Sequence, residues 1–544
     1  MMRVPVCLGL VALMATMVAP ARAAESTSPP LLVRLASIDT LTKQFFLLAD
    51  KVGRKAEAEQ VKNALQGATG PGGIQGLDPT RPVGIYGRIG PNGLDSTGVI
   101  LVPVNDEAAM LAALKKLAGA IGGNLVEAKE KGGSHTLNLD QSPMPIFLRF
   151  AKGYCWATIK DDTAIADNKL PDPVKLLEAP AGSVARLHFD LSAVPENLRV
   201  TAVEAFKQGV AEAREKAPPA ETPAAKKFRI QLTDMMEGGL VQFLKEGGNL
   251  DLELVIDSKT EEASLEARLD TLPDSSITKA MRAMGAGESL GKAVAARGDA
   301  VAIASFMRMP RELREAFMGV LEEAIANAKD SNETPAKQKL AKEMLGAIMP
   351  TLQAAEMDMG IALSPSKKEG VYNAAMGFRV KDGAKLEEAL RSAVKEFADK
   401  ADGKIKLDTA TYAGVKVHQF TAGDDAKSRE MLGDGPAFLA IRDDLALVTA
   451  GPEALAMLKD MVSLKPETGS VLKAELGLAS IAKLGDSNVP KALVKKALEK
   501  AFTGKPGADR ARIEVTTDKG FGIKVSANLA TLEFLSLMDP NRAN

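Results

Sequence analysis

The sequence predicts an α+β protein, internally duplicated, with antiparallel sheets covered by amphipathic helices. Three observations predict it. Val102–Leu114 lies without gaps on Phe378–Leu390, and Pro145–Ile159 lies on Pro436–Ala450 in the same order. Two ordered matches at long separation mark an internal repeat. Leu250, Leu252, Leu254 and Ile256 alternate with polar neighbours such as Asp251 and Glu253, and the alternation returns over Ser264–Leu269 after the turn Ser258–Glu261. That period of two is the pattern of a half-buried strand. Such strand pairs sit too close in sequence for the crossovers a doubly wound parallel sheet requires.

Taken in order, the chain begins with Arg3, the apolar run Val4–Val18 and the small-x-small site Ala21-Arg22-Ala23. This is the pattern of a signal peptide over residues 1–23, and Val4–Val18 falls short of the roughly 20 apolar residues of a spanning helix. The expectation is a soluble, extracytoplasmic (periplasmic or secreted) mature chain with no membrane span after cleavage. Units of strand, amphipathic helices and strand pair follow at about Leu31–Val104, Gly182–Leu269, Gly298–Val380 and Gly469–Leu529. Between them lies a second kind of block. Asp106 or Asp382 caps a helix that faces Met110, Leu114 and Leu117, or Leu386, Leu390 and Ala393, inward. A hairpin then turns at Ala151–Gly153 or Arg442–Asp444. The halves are expected at 24–284 and 298–544, joined by a Gly-, Ala- and Ser-rich linker at 285–297. Three polar stretches, Gly67–Leu77, Ala217–Lys227 and Asn327–Lys339, read as surface loops.

Composition narrows the possibilities. With 69 Lys+Arg against 70 Asp+Glu, there is no basic excess for nucleic acid. Once residues 1–23 are removed, Cys155 is the only cysteine, so no disulfide can form within the chain. At 46% apolar but 4% aromatic, the core must be built from Ala, Leu, Val and Met.

No candidate for chemistry stands up. Cys155 aligns with Ala446, so it reads as a small packed side chain. His135, His188 and His418 lack the converging ligands of a metal site and read as half-exposed strand residues. The Ser-x-x-Lys spacings Ser276–Lys279, Ser364–Lys367 and Ser470–Lys473 lack the partner motifs of acyl-transfer enzymes. Gly285–Lys292 (GAGESLGK) misses the phosphate-loop spacing and has Ala293 where a hydroxyl is needed. Gly70–Gly76 misses the dinucleotide spacing. Asp161–Asp162, Asp424–Asp425 and Asp443–Asp444 read as turn residues. No catalytic, cofactor-binding or metal-binding residue is therefore assigned.

Pro82-Val83-Gly84, Val102–Asp106 and the Pro145 and Pro436 hairpins resemble large uncharacterised secreted bacterial proteins with duplicated α+β units. The resemblance implies location and architecture only. The expectation is an exported, non-enzymatic binding or scaffolding protein whose partner is an envelope protein or an apolar small molecule. A carrier holding a lipid-like ligand in a pocket between helices and sheet is the second reading, and a hydrolase the third.

Overall fold

The computed structural model describes residues 29–538 apart from 70–72, 91–94, 121, 131, 141, 143, 215–220, 331–334, 369, 397–404, 422–425 and 485–489. The predicted signal peptide and Asp424–Asp425 lie outside the described residues. By contact the chain divides into two units. The first takes residues up to Gln208 and Val241–Leu272, and the second takes Gly209–Leu240 and everything from Pro273.

In the first unit the strands are β1 (Leu31–Ser37), β2 (Pro82–Arg88), β3 (Thr97–Pro103), β4 (Gly123–Val126), β5 (His135–Leu139), β6 (Ile146–Ala151), β7 (Tyr154–Ile159), β8 (Ser183–Asp190), β9 (Gly248–Asp257) and β10 (Glu262–Thr271). They pair in the order β4-β5-β6-β7-β3-β2-β1-β8-β9-β10, each pair antiparallel.

The second unit contains β11 (Val301–Arg308), β12 (Glu356–Pro365), β13 (Tyr372–Arg379), β14 (Ile405–Tyr412), β15 (Val415–Phe420), β16 (Ala437–Ile441), β17 (Leu445–Ala450), β18 (Leu472–Gly477), β19 (Arg510–Thr516) and β20 (Gly520–Asn528). Their order is β14-β15-β16-β17-β13-β12-β11-β18-β19-β20, again antiparallel throughout. Hairpins such as β6–β7, β9–β10 and β19–β20 are antiparallel because their connections are too short for a crossover.

Local chemistry explains where the helices start. Asp106 accepts a hydrogen bond from the Ala109 backbone N–H at 3.0 Å, and Asp382 accepts from Lys385 at 3.2 Å, so both open their helices as expected. Ser275 does the same for Ser276–Gly285. Leu117 departs from the expectation: it is 56% exposed, while Ala118 is buried. Met110 and Ala118 are two turns apart, so the inward stripe follows the i, i+4, i+8 row rather than i+7. The three predicted loops are shorter than expected. The helices Lys55–Thr69, Arg311–Asp330, Pro335–Gln353 and Pro223–Glu246 all run into them.

The predicted linker 285–297 is a second departure. Its residues Leu290–Ala295 form a helix buried at all six positions. Glycine makes this possible: a Cβ on Gly360 of β12 would sit 2.0 Å from the Gly291 carbonyl oxygen. Only two facing glycines let helix and strand backbones approach that closely. Leu290 and Val294 then join Ala362, Ala375, Leu445, Leu447, Leu458 and Met461 in the core of this unit. In the first unit the corresponding core gathers Tyr86, Leu101, Tyr154, Trp156 and Ile165. No described helix is long and apolar enough to cross a membrane.

Candidate functional site

The polar candidates can be placed one by one. Cys155 is 4% exposed on β7, and burial pushes its thiol up to about 12. A thiol held neutral is a poor nucleophile. Ser276 and Lys279 are both exposed on one helix. Ser364 donates to the Arg297 carbonyl at 2.8 Å, and Ser470 and Lys473 stand at and in a strand rather than on a helical face. Asp161 caps the turn that follows it, and Asp444 holds Arg442 through two bonds of 2.9 Å. Of Gly70–Gly76, the described part is a turn whose Gly76 carbonyl accepts from Asn105 and Asp106.

The phosphate-loop-like run has an internal answer. Ser289 caps the helix Leu290–Ala295, and the anion at its start is the Asp358 carboxylate. That group accepts from the Ser289 hydroxyl at 2.6 Å, the Leu290 N–H at 2.7 Å and the Gly291 N–H at 3.0 Å. Arg379 completes the cluster at 3.0 Å. The amides and the charge that would attract a phosphate are already satisfied by a side chain. Lys292 of the same run is 8% exposed, and its Nζ has no partner among the described residues. Burial lowers its pKa, against the pull of Asp358, Glu467 and Glu514.

All three histidines lie on strands, as expected; His188 is half-buried, whereas His135 and His418 are buried rather than half-exposed. His135 (9% exposed) and His418 (0%) occupy β5 and β15, and each Nδ1 accepts a backbone N–H, from Ala128 at 3.2 Å and from Asp408 at 3.3 Å. An Nδ1 that accepts carries the lone pair, which leaves the neutral ring's proton on Nε2. Glu387, Asp408 and His418 lie close enough to suggest a metal site. Yet the Nε2 that faces Glu387 at 3.9 Å bears that proton. Arg391 already bridges both acids, at 3.0 Å to Glu387 and 3.0 Å to Asp408. Its guanidinium supplies the positive charge there. His188 instead donates from Nδ1 to Asp251 at 2.9 Å. The bond raises the His188 pKa. On the Asp251 carboxylate burial is the largest single influence and pushes the pKa up, but the bond and charge of His188 together with Arg186 bring it below the ordinary value.

What remains is a surface. Cross-strand register places Val83, Ile85, Ile100, Val33, Leu187 and Leu252 on one face of the first unit's sheet, which continues through Leu254 and Leu265. No charged side chain falls on this face of β1, β2, β3, β8, β9 or β10. The opposite face carries Arg34, Arg186, His188, Asp251, Glu253 and Arg268. Leu35 and Leu265 of the apolar face are 36% and 53% exposed. An open depression lies over Val33, Leu187, Leu252, Leu254 and Leu265, and Arg186 and Glu253 also line it. This apolar face is therefore partly open to solvent.

In the second unit the pattern is sharper. Along β12, Asp358, Gly360 and Ala362 are buried while Met357 and Met359 are 44% and 41% exposed. Burial there is inverted relative to hydrophobicity, because the helix Leu290–Ala295 covers the face that bears Asp358. Val301, Ile303, Ile361, Ala474, Ile513 and Val525 extend the exposed apolar face. Exposed apolar patches of this kind mark interaction sites.

The chain matches no family model, no curated protein and no solved structure.

Proposed function

We propose that this is an exported, non-enzymatic binding protein built from two copies of one α+β unit, and that it carries an aliphatic ligand on the apolar sheet faces. The observation that carries the reading is the uncharged face of β1, β2, β8, β9 and β10, with Leu35 and Leu265 open to solvent. The chemistry favours a lipid-like ligand over a protein partner. Protein hot spots are rich in Trp, Tyr and Arg, with Leu and Val under-represented, and this face is mostly Leu, Val, Ile and Ala with a few small residues such as Gly87 and one aromatic, Phe189. Supporting the two-copy reading, both strand orders coincide place by place, and His135 opposite Leu148 is matched by His418 opposite Leu439.

The test is titration with a fluorescent long-chain fatty acid, alongside a native mass spectrum of protein from its own producing cells. Saturable binding that Leu254→Glu and Leu265→Glu weaken about tenfold or more is the expected result, since each change places a charge against the chain. A bare monomer in the spectrum together with non-saturable binding would sink the reading.

A further inference from the structure

The geometry points to a monovalent-copper site on the second unit's sheet, formed by the thioethers of Met307, Met357 and Met359. Met307 stands directly opposite Met357 across the β11–β12 ladder, and Met359 is two residues along β12 on the same face. Directly opposed side chains begin about 5 Å apart, and diagonal ones about 7 Å apart. Two rotatable bonds place each methionine sulfur and the unbranched side chain is adaptable, so three sulfurs starting from these positions can converge on one ion. Met376 of β13, opposite Ile361, is diagonal to Met359 and 38% exposed, which places a fourth thioether beside the triangle.

Two features make the cluster more than apolar filling. The same register positions in the first unit are Val83, opposite Leu35 as Met359 is opposite Ser305, and Ile100, opposite Ile85 as Met376 is opposite Ile361. Packing at those two positions therefore does not require sulfur. The thioethers are also reachable, with Met357 and Met359 both more than a third exposed. Neutral thioether ligands select soft ions, copper(I) above all, and disfavour zinc, magnesium and calcium. The apolar surround adds no carboxylate on this face that would recruit a hard cation.

The experiment uses the whole protein, loaded without oxygen with ascorbate-reduced copper and challenged by a copper(I) chelator. One retained copper per chain, with X-ray absorption showing sulfur donors only, is expected. Met357→Leu with Met359→Leu conserves volume and should abolish retention, whereas Met236→Leu, on a helix, should leave it intact. Silver(I), which needs no reductant, should shift the methyl signals of Met307, Met357 and Met359 in the unaltered protein, a readout independent of any variant's folding. Release of all copper to the chelator, nitrogen or oxygen donors in the spectrum, retention in the double variant, or silver shifts spread over other methionines would each overturn the assignment.

Discussion

At the scale of single residues, burial decides what the ionisable groups do. His135 and His418 have lowered pKa values, burial being the largest cause for each. The unfolded chain therefore takes up protons near the ordinary value of 6.5 while the folded chain resists. Stability is fully present above that pH and is lost as pH falls below it. His188 has the opposite sign: its contribution holds below 6.5 and is lost as pH rises through its raised folded value. Denaturant midpoints at pH 7.5 and 5.5 check this. His418→Leu should reduce the acid-side loss, and an unchanged loss would show that His418 is protonated in the fold. Nitrogen chemical shifts should likewise report the Nε2–H tautomer for His135 and His418. Lys292 is a second case. A buried ammonium without a partner costs more than an apolar side chain of its length. Lys292→Met should raise the melting midpoint by about 2 °C or more; a fall would mean the ammonium has a partner in solution. Nothing in the sequence flagged this lysine as buried, because its run has the composition of a loop.

The elements tell a different story, since most were legible. The alternation over Leu250–Ile256 and the caps at Asp106 and Asp382 each reflect a local rule, and the strand and the helix starts lie where those rules put them. The helix Leu290–Ala295 was not legible. Its glycine and serine content resembles a linker, and only contact with β12 gives Gly291 its reason. Gly360→Ala should cost about 2–3 kcal/mol by forcing helix and strand apart. Gly98→Ala, where a Cβ meets nothing within 4 Å, should stay within about 0.5 kcal/mol. Chemical denaturation of both variants checks the contrast, and equal effects would mean the close approach is not kept in solution.

For the molecule as a whole, the main consequence is that apolar sheet surface stays in contact with water in the native state. The folded protein should therefore enhance the fluorescence of a naphthalene-sulfonate dye while keeping a cooperative unfolding transition, which separates it from a molten state. A saturating long-chain fatty acid should displace the dye. Enhancement only after partial unfolding would show that these faces are covered in solution.

The sequence by itself determined the local order: which segments alternate with period two, which carry helical stripes, where caps begin them, and that strand pairs must run antiparallel. Those are short-range consequences of backbone geometry and side-chain spacing. Only the tertiary structure decided which side of each sheet is covered. The alternation at Leu250, Leu252 and Leu254 fixes that one face is apolar, but not whether helices lie over it. Nor could spacing show that Asp358 would answer the amides of Ser289–Gly291, because the partners are far apart in the chain. Coverage and charge pairing depend on long-range packing, in which an aliphatic face buried in the core and one left open to a ligand have the same sequence pattern.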